Sequence, residues 1–268
     1  MSKRAQTLNG LFTAGYIAKG IVYFLVGGLT LATTLGFSMG GSGVQGPRSV
    51  LKWVEDQPLG HVLVGALGLG LLAYAVWRIY RGVADPRDEG RDASSIGKRA
   101  GYVFSGLANG TLGVLALRLA LSNGADSGGG GSRKRGMVAQ LLEQSWGPWV
   151  VGAVGLVVIG VGGYQVYKGV KAKFVDSIYW KDISRTAVKR IGRYGFFARG
   201  LVFGIIGYFL LRAATSVNAG EFRGTAGALE YLNDSTTGVW LLGIVSAGLL
   251  LFGVFSALKG WYGSLLRS

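Results

Sequence analysis

Residues 60–82 read GHVLVGALGLGLLAYAVWRIYRG, and variants of that stretch follow at 147–169 (GPWVVGAVGLVVIGVGGYQVYKG) and 238–260 (GVWLLGIVSAGLLLFGVFSALKG). Glycines open all three, recur at Gly65, Gly152 and Gly243, and close them at Gly82, Gly169 and Gly260. A base precedes each closing glycine: Arg81, Lys168 and Lys259. An acid stands four residues before each opening one: Asp56, Glu143 and Asp234. A bilayer crossing takes about 20 mostly apolar residues, so each stretch reads as a transmembrane helix.

Three further apolar runs alternate with these and align through Gly15/Gly101/Gly195, Gly20/Gly106/Gly200 and Gly27/Gly113/Gly207. The six spans run roughly over 12–35, 59–77, 100–121, 147–167, 194–215 and 238–258, and none contains Asp or Glu. The chain is a two-span hairpin written three times, with units at 1–90, 91–185 and 186–268. Each unit crosses twice, so every copy starts on the same side. Parallel repeats of this kind are related by an axis along the membrane normal. The expected fold is an all-α integral membrane protein, six transmembrane helices in a pseudo-threefold bundle. Glycine then serves close helix contact, as at Gly106-x-x-x-Gly110 and Gly200-x-x-x-Gly204, because lipid supplies no hydrophobic drive between helices.

Composition agrees. Of 268 residues half are hydrophobic and 15% charged, mean hydropathy is +0.39, and 48 are glycine. The net charge of +15 follows topology: 18 of the 28 Lys and Arg fall at the termini and in the second and fourth loops. The positive-inside rule places both termini in the cytoplasm. No loop is long enough to be a basic nucleic-acid-binding domain. A secretory signal is a poor reading of the first span, which recurs later as a structural helix.

The motifs Ala-Gly-Tyr-Ile-Ala-Lys-Gly at 14–20, Ala-Gly-Tyr-Val-Phe-Ser-Gly at 100–106 and Tyr-Gly-Phe-Phe-Ala-Arg-Gly at 194–200 carry a resemblance. The chain resembles a bacterial membrane family catalogued as domain of unknown function 1206, whose members hold three tandem two-helix units. The resemblance covers nearly the whole chain. It implies this fold and the bacterial cytoplasmic (inner) membrane, and brings no catalytic or ligand residues. Copy two departs from the pattern, with Ser105 where the others have Lys19 and Arg199.

Each outer loop repeats an apolar pattern just before the even span: Val50, Leu51, Val54; Met137, Val138, Leu141; Ala228, Leu229, Leu232. Spacing of three to four predicts a short helix on the outer face. In the fourth loop Val175, Tyr179, Ile183 and Ala187 form one stripe and Lys181, Arg185 and Lys189 the opposite one. That predicts a basic amphipathic helix, which serves either anionic-lipid recognition or simple retention of the loop inside.

Catalytic constellations are missing. No cysteine exists and His61 is the single histidine, so thiol, triad and multi-histidine metal chemistry fall away. Gly68-Leu-Gly70-Leu-Leu-Ala73 imitates a dinucleotide fingerprint but sits mid-span with no strand before it. The expectation is a protein without enzymatic activity, cofactor or metal. Intramembrane ionisable residues are therefore the candidates. Arg118 and Arg212 sit near the outer span ends and either snorkel, the preferred reading, or bind lipid or an anion. Lys19 and Arg199, about two turns in, either snorkel or face the axis and favour an anion or lipid phosphate. Asn109 is the one midplane amide, either a polar candidate on an axial path or a bond across to a neighbouring helix. Asp56, Glu143 and Asp234 either ring the outer mouth or cap the even helices, with capping preferred.

Three functions compete in this order. The first is an accessory or scaffold protein binding anionic lipids or a membrane complex. The second is a passive pore or carrier for a small anionic solute along the axis. The third, an intramembrane enzyme, lacks the residues.

Overall fold

The computed structural model describes residues 3–37, 46–84, 92–121, 130–172, 174–175, 179–180, 184–233 and 236–264. Helices occupy α1 Lys3–Thr34, α2 Pro47–Glu55, α3 Gly60–Ala84, α4 Ala93–Leu121, α5 Gly130–Leu142, α6 Gly147–Lys171, α7 Arg185–Thr215, α8 Thr225–Asn233 and α9 Thr236–Trp261. Six of them, α1, α3, α4, α6, α7 and α9, are long and apolar enough to cross a membrane, so this is a multi-pass membrane protein. Each hairpin thus holds two long helices joined through a shorter one.

Helices of neighbouring repeats make the largest interfaces: α3 on α4, α6 on α7, and α9 on α1. Glycine sets the distance in all three. A Cβ on Gly20 would lie 2.6 Å from the Ala257 backbone nitrogen, one on Gly106 3.0 Å from the Ala75 carbonyl, and one on Gly200 2.9 Å from the Gly162 carbonyl. At that spacing the backbones themselves touch, which supplies the dispersion contact that lipid cannot displace.

Contact within the hairpins is smaller, and here the copies diverge. α1 packs on α3, and α7 on α9, but α4 and α6 form no extended interface. Gly15 lies against the Tyr74 backbone and Gly195 against that of Phe252, whereas Gly101 has nothing within 4 Å. The cause is legible one turn away. Ala18 fits against Gly70, and Ala198 against Gly248. Copy two has Phe104 and Val157 at those positions, too bulky for the same approach, and both are exposed, at 56% and 63%.

The short helices before the even spans appear where the apolar pattern predicts them. They do more than lie on a face: Val50 and Leu51 of α2 and Leu229 of α8 are fully buried. They join Val26, Leu67 and Leu249 in an apolar core that fills the end of the bundle away from the chain termini. α5 belongs instead to a separate small cluster with Val151 and Leu210.

At the termini's end the fourth loop departs from expectation. Tyr179–Trp180 is a β-strand (β1) paired antiparallel with Gly263–Ser264 (β2), so no amphipathic helix runs through 175–189. Ahead of it Phe174 inserts between α7 and α9, 4.8 Å from the Phe196 ring and 5.0 Å from Phe255. Burying Phe174 and Val175 among these rings outweighs the amphipathic periodicity.

Gly195→Leu is expected to destabilise the fold by about 1–3 kcal/mol or more, because its side chain meets the Phe252 backbone. Gly101→Leu should stay within about 0.5 kcal/mol of wild type. Reversible denaturation in mixed micelles measures both, and an equal loss at Gly101 would contradict the open second hairpin.

Candidate functional site

The even helices run past 77, 167 and 258, where their apolar stretches end, to Ala84, Lys171 and Trp261. That extra length carries Arg81, Lys168 and Lys259 as parts of helices. Each base meets an aromatic ring on the first helix of the next repeat. The Arg81 guanidinium lies 4.3 Å from the Tyr102 ring and donates to its hydroxyl at 3.0 Å. Lys259 lies 4.4 Å from the Tyr16 ring and donates to its hydroxyl at 3.2 Å. Lys168 stands 4.9 Å from Phe196, which offers a ring without a hydroxyl. Tyr16, Tyr102 and Phe196 occupy one repeat position, each directly after the aligned Gly15, Gly101 or Gly195.

A second tier forms inside the hairpins. Lys19, 3% exposed, sits 4.3 Å from the Tyr74 ring and donates to its hydroxyl at 2.8 Å. Arg199 lies 4.4 Å from the equivalent Phe252 and 5.1 Å from Tyr23. Copy two has Ser105 and Val161 here, and Ser105 Oγ is 3.4 Å from the Tyr74 hydroxyl. Arg78, one turn after Tyr74 on the same face of α3, donates Nε to that hydroxyl at 2.8 Å. Tyr74 is thus the hub: its oxygen accepts from Lys19 and Arg78, within reach of Ser105.

The two tiers form one cluster through their rings: Tyr16 lies 5.1 Å from Tyr74, Phe196 5.6 Å from Phe252, and Lys19 5.7 Å from the Phe252 ring. The spans carry no Asp or Glu to offset its charge. Taking such ions out of water costs several kcal/mol each unless something compensates. Ring faces return about 2 kcal/mol apiece when desolvated. Hydroxyls add hydrogen bonds without neutralising charge. Two further donors, Trp77 Nε1 and Arg199 Nε, are buried with no acceptor among the described residues. The arrangement is rich in donors and positive charge and short of acceptors, so chemically it suits an oxyanion.

Of the residues singled out in the sequence, Lys19 and Arg199 face inward into this cluster. Arg118 is exposed, and Arg212 pairs at the surface with Glu221, 3.4 Å away. Asn109 bonds to its own helix, Nδ2 donating to the Ser105 carbonyl at 2.7 Å, and so corrects the reading of a bond across helices. Asp56 is the C-terminal cap residue of α2, and α6 opens behind Trp146 without a side-chain cap. Glu143 is exposed just past α5, so the preferred capping of α6 by this acid does not form. Asp234 and Lys181 lie outside the described residues, while Arg185 and Lys189 are exposed on the first turns of α7. Sequence reasoning missed Arg78, Arg81, Lys168 and Lys259 as site residues; hydropathy assigns them to cytoplasmic loops and, for Lys259, to the C-terminus. The signal was present in two columns with the same threefold repeat, the base before the closing glycine and the aromatic residue after Gly15.

Tyr74→Phe should lose about 1.5–3 kcal/mol of stability, the range for a hydrogen bond to a charged group, since buried Lys19 and half-buried Arg78 lose their acceptor. Denaturation in mixed micelles reads this against the exposed control Tyr208→Phe, which should be neutral.

Comparison with known proteins agrees with the triplication. The family described as Domain of Unknown Function (DUF1206) matches three times, at residues 14–85, 100–172 and 194–263. The chain is 30% identical over 251 residues to Uncharacterized protein YxxB of Bacillus subtilis (strain 168), covering 92% of this chain and 88% of that protein. No solved structure matches. Three matches in register with three hairpins, and likeness over nearly the full length of the Bacillus protein, make this chain a member of the DUF1206 family.

Proposed function

We propose that this protein is a non-enzymatic, membrane-embedded binder of oxyanions, with its site in the basic cluster around Tyr74. The observation that carries the reading is the convergence of Lys19, Arg78, Lys168, Arg199 and Lys259 inside helices that contain no carboxylate. A bound anion with several oxygens supplies both the missing charge and acceptors for buried donors. The scaffold role, first on sequence alone, draws on glycine packing and an apolar midplane and leaves the cluster without a purpose. The second reading, an anion path along the axis, uses the same cluster. The packed apolar core at the opposite end favours a site open at one level over a through-channel.

The same proposal places the bundle in a bacterial inner membrane with pseudo-threefold symmetry and cytoplasmic termini. The equivalent glycine contacts between repeats support the symmetry, and the bias of Lys and Arg supports the orientation. The chain has no cysteine, so single labels report topology directly. An impermeant maleimide should label Lys52→Cys and not Lys98→Cys in intact cells, and the reverse pattern inverts the orientation.

The function is tested by titrating the purified protein with inorganic phosphate and sulfate in a calorimeter. Saturable binding is expected. The Lys19→Ala/Arg199→Ala pair should weaken it at least about tenfold, as loss of charge-assisted hydrogen bonds does. Absence of saturable binding to the wild type, or an unchanged affinity in the double variant, refutes the proposal.

A further inference from the structure

The anion site has a side door. We infer that the unclosed second hairpin admits the phosphate head of an anionic phospholipid, whose acyl chains lie between α4 and α6 while the phosphate meets the basic cluster. The inference rests on the oxyanion-binding reading above and adds the route and the class of ligand.

Four observations carry it. First, the hairpin interface that joins α1 to α3 and α7 to α9 does not form between α4 and α6. Second, the residues that would make it are left unpacked. Gly101 has nothing within 4 Å, and Phe104 and Val157 are exposed. In a span, an apolar side chain that protein leaves unpacked is open to acyl chains. Third, both helices that flank the missing interface lead to the cluster. On α4, Tyr102 and Ser105 follow directly after Gly101 and Phe104 and reach Arg81 and Tyr74. On α6, Val157, Val161, Gln165 and Lys168 succeed one another at spacings of four, four and three, a single face that ends in the base. Fourth, the bundle is filled at its far end by Val50, Leu51 and Leu229, and Phe174 inserts among rings at the near end.

An amphiphile fits this shape and a free anion alone does not account for it. Inorganic phosphate reaches the cluster from the side of its half-exposed bases, Arg81, Lys168 and Lys259, whereas an apolar slot open to acyl chains offers a small solute no path. A phospholipid brings hydrocarbon for the slot and a charged phosphate for the cluster, so both halves of the molecule are complemented. Copy two is also the copy without a base at the inner tier, having Ser105 in place of Lys19 or Arg199. The doorway is thereby free of the long cationic side chain that occupies the same level in the other two hairpins.

The experiment uses the full chain in nanodiscs of phosphatidylcholine doped with phosphatidylglycerol bearing a diazirine at mid-acyl chain. Photolysis followed by peptide mapping locates the lipid. Labels are expected to concentrate on α4 around Phe104 and on α6 around Val157. They should fall at least about fivefold when Lys168 and Lys259 are both changed to Gln, given roughly that factor or more for each lost phosphate contact. Phosphatidylcholine carrying the same diazirine should label all lipid-facing helices evenly.

Even labelling by phosphatidylglycerol overturns the inference. So does native mass spectrometry showing a dimer with the cleft protected, which would make a second copy the occupant. Calorimetry with inorganic phosphate separates the two levels. If phosphate binds and the cleft stays unlabelled by phosphatidylglycerol, the lateral route fails and the anion site stands. If neither occurs, both fail. Should the Lys168→Gln/Lys259→Gln variant misfold, Phe104→Trp serves instead, since narrowing the slot should reduce labelling there while leaving inorganic phosphate binding unchanged.

Discussion

Lipid tails are as apolar as leucine, so helices in a bilayer gain nothing by hiding apolar side chains from one another. What holds them is direct contact, and contact is closest where no Cβ intervenes. In this chain glycines on the even helix of one repeat and the odd helix of the next let the backbones touch. Everything else at the centre follows from that spacing. Only at such distances does Lys259 reach the Tyr16 ring or Arg81 the Tyr102 hydroxyl. Glycine packing and the basic cluster are one design, because the contact that binds repeat to repeat also sets each base on its aromatic partner.

Repetition explains how a cationic interior is built and tolerated. A single buried Lys in a membrane helix would cost several kcal/mol with little in return. Three equivalent interfaces each bring one base and one ring, so each carries its own partial compensation. Tyr74 adds a hub that serves Lys19 and Arg78 together. Charge remains in excess after these contacts, since rings and hydroxyls screen cations without neutralising them. A site with more donors and positive charge than its hydroxyl acceptors can meet is complementary to a ligand made of acceptors.

Divergence of the second copy is as informative as conservation of the other two. Replacing an Ala–Gly contact by Phe104 and Val157 prevents one hairpin of three from closing, and loss of the base at Ser105 accompanies it. A perfect threefold ring would seal the cluster on every side. The asymmetric copy leaves one hairpin unclosed, with Phe104 and Val157 exposed.

Much of this was legible in the residues alone. Glycine and charge columns in register dictated six crossings, three hairpins and the short helices before the even spans, because periodicity and span length are local properties of a chain. The resemblance to the family was carried by the motifs at 14–20, 100–106 and 194–200. The inward course of Lys19, the bond of Asn109 to its own helix and the open hairpin were decided by packing, since which face of a helix turns inward depends on neighbours far away in sequence. Hydropathy drew the span ends too early and gave Arg78, Arg81, Lys168 and Lys259 to solvent, because a hydropathy window counts charge as an end of membrane. Only the fold, by placing an aromatic ring from the next repeat within reach of each base near those ends, turned a loop charge into an interior one. The strand at Tyr179–Trp180 has the same origin: its partner at Gly263–Ser264 lies more than eighty residues away, beyond anything an amphipathic pattern can register.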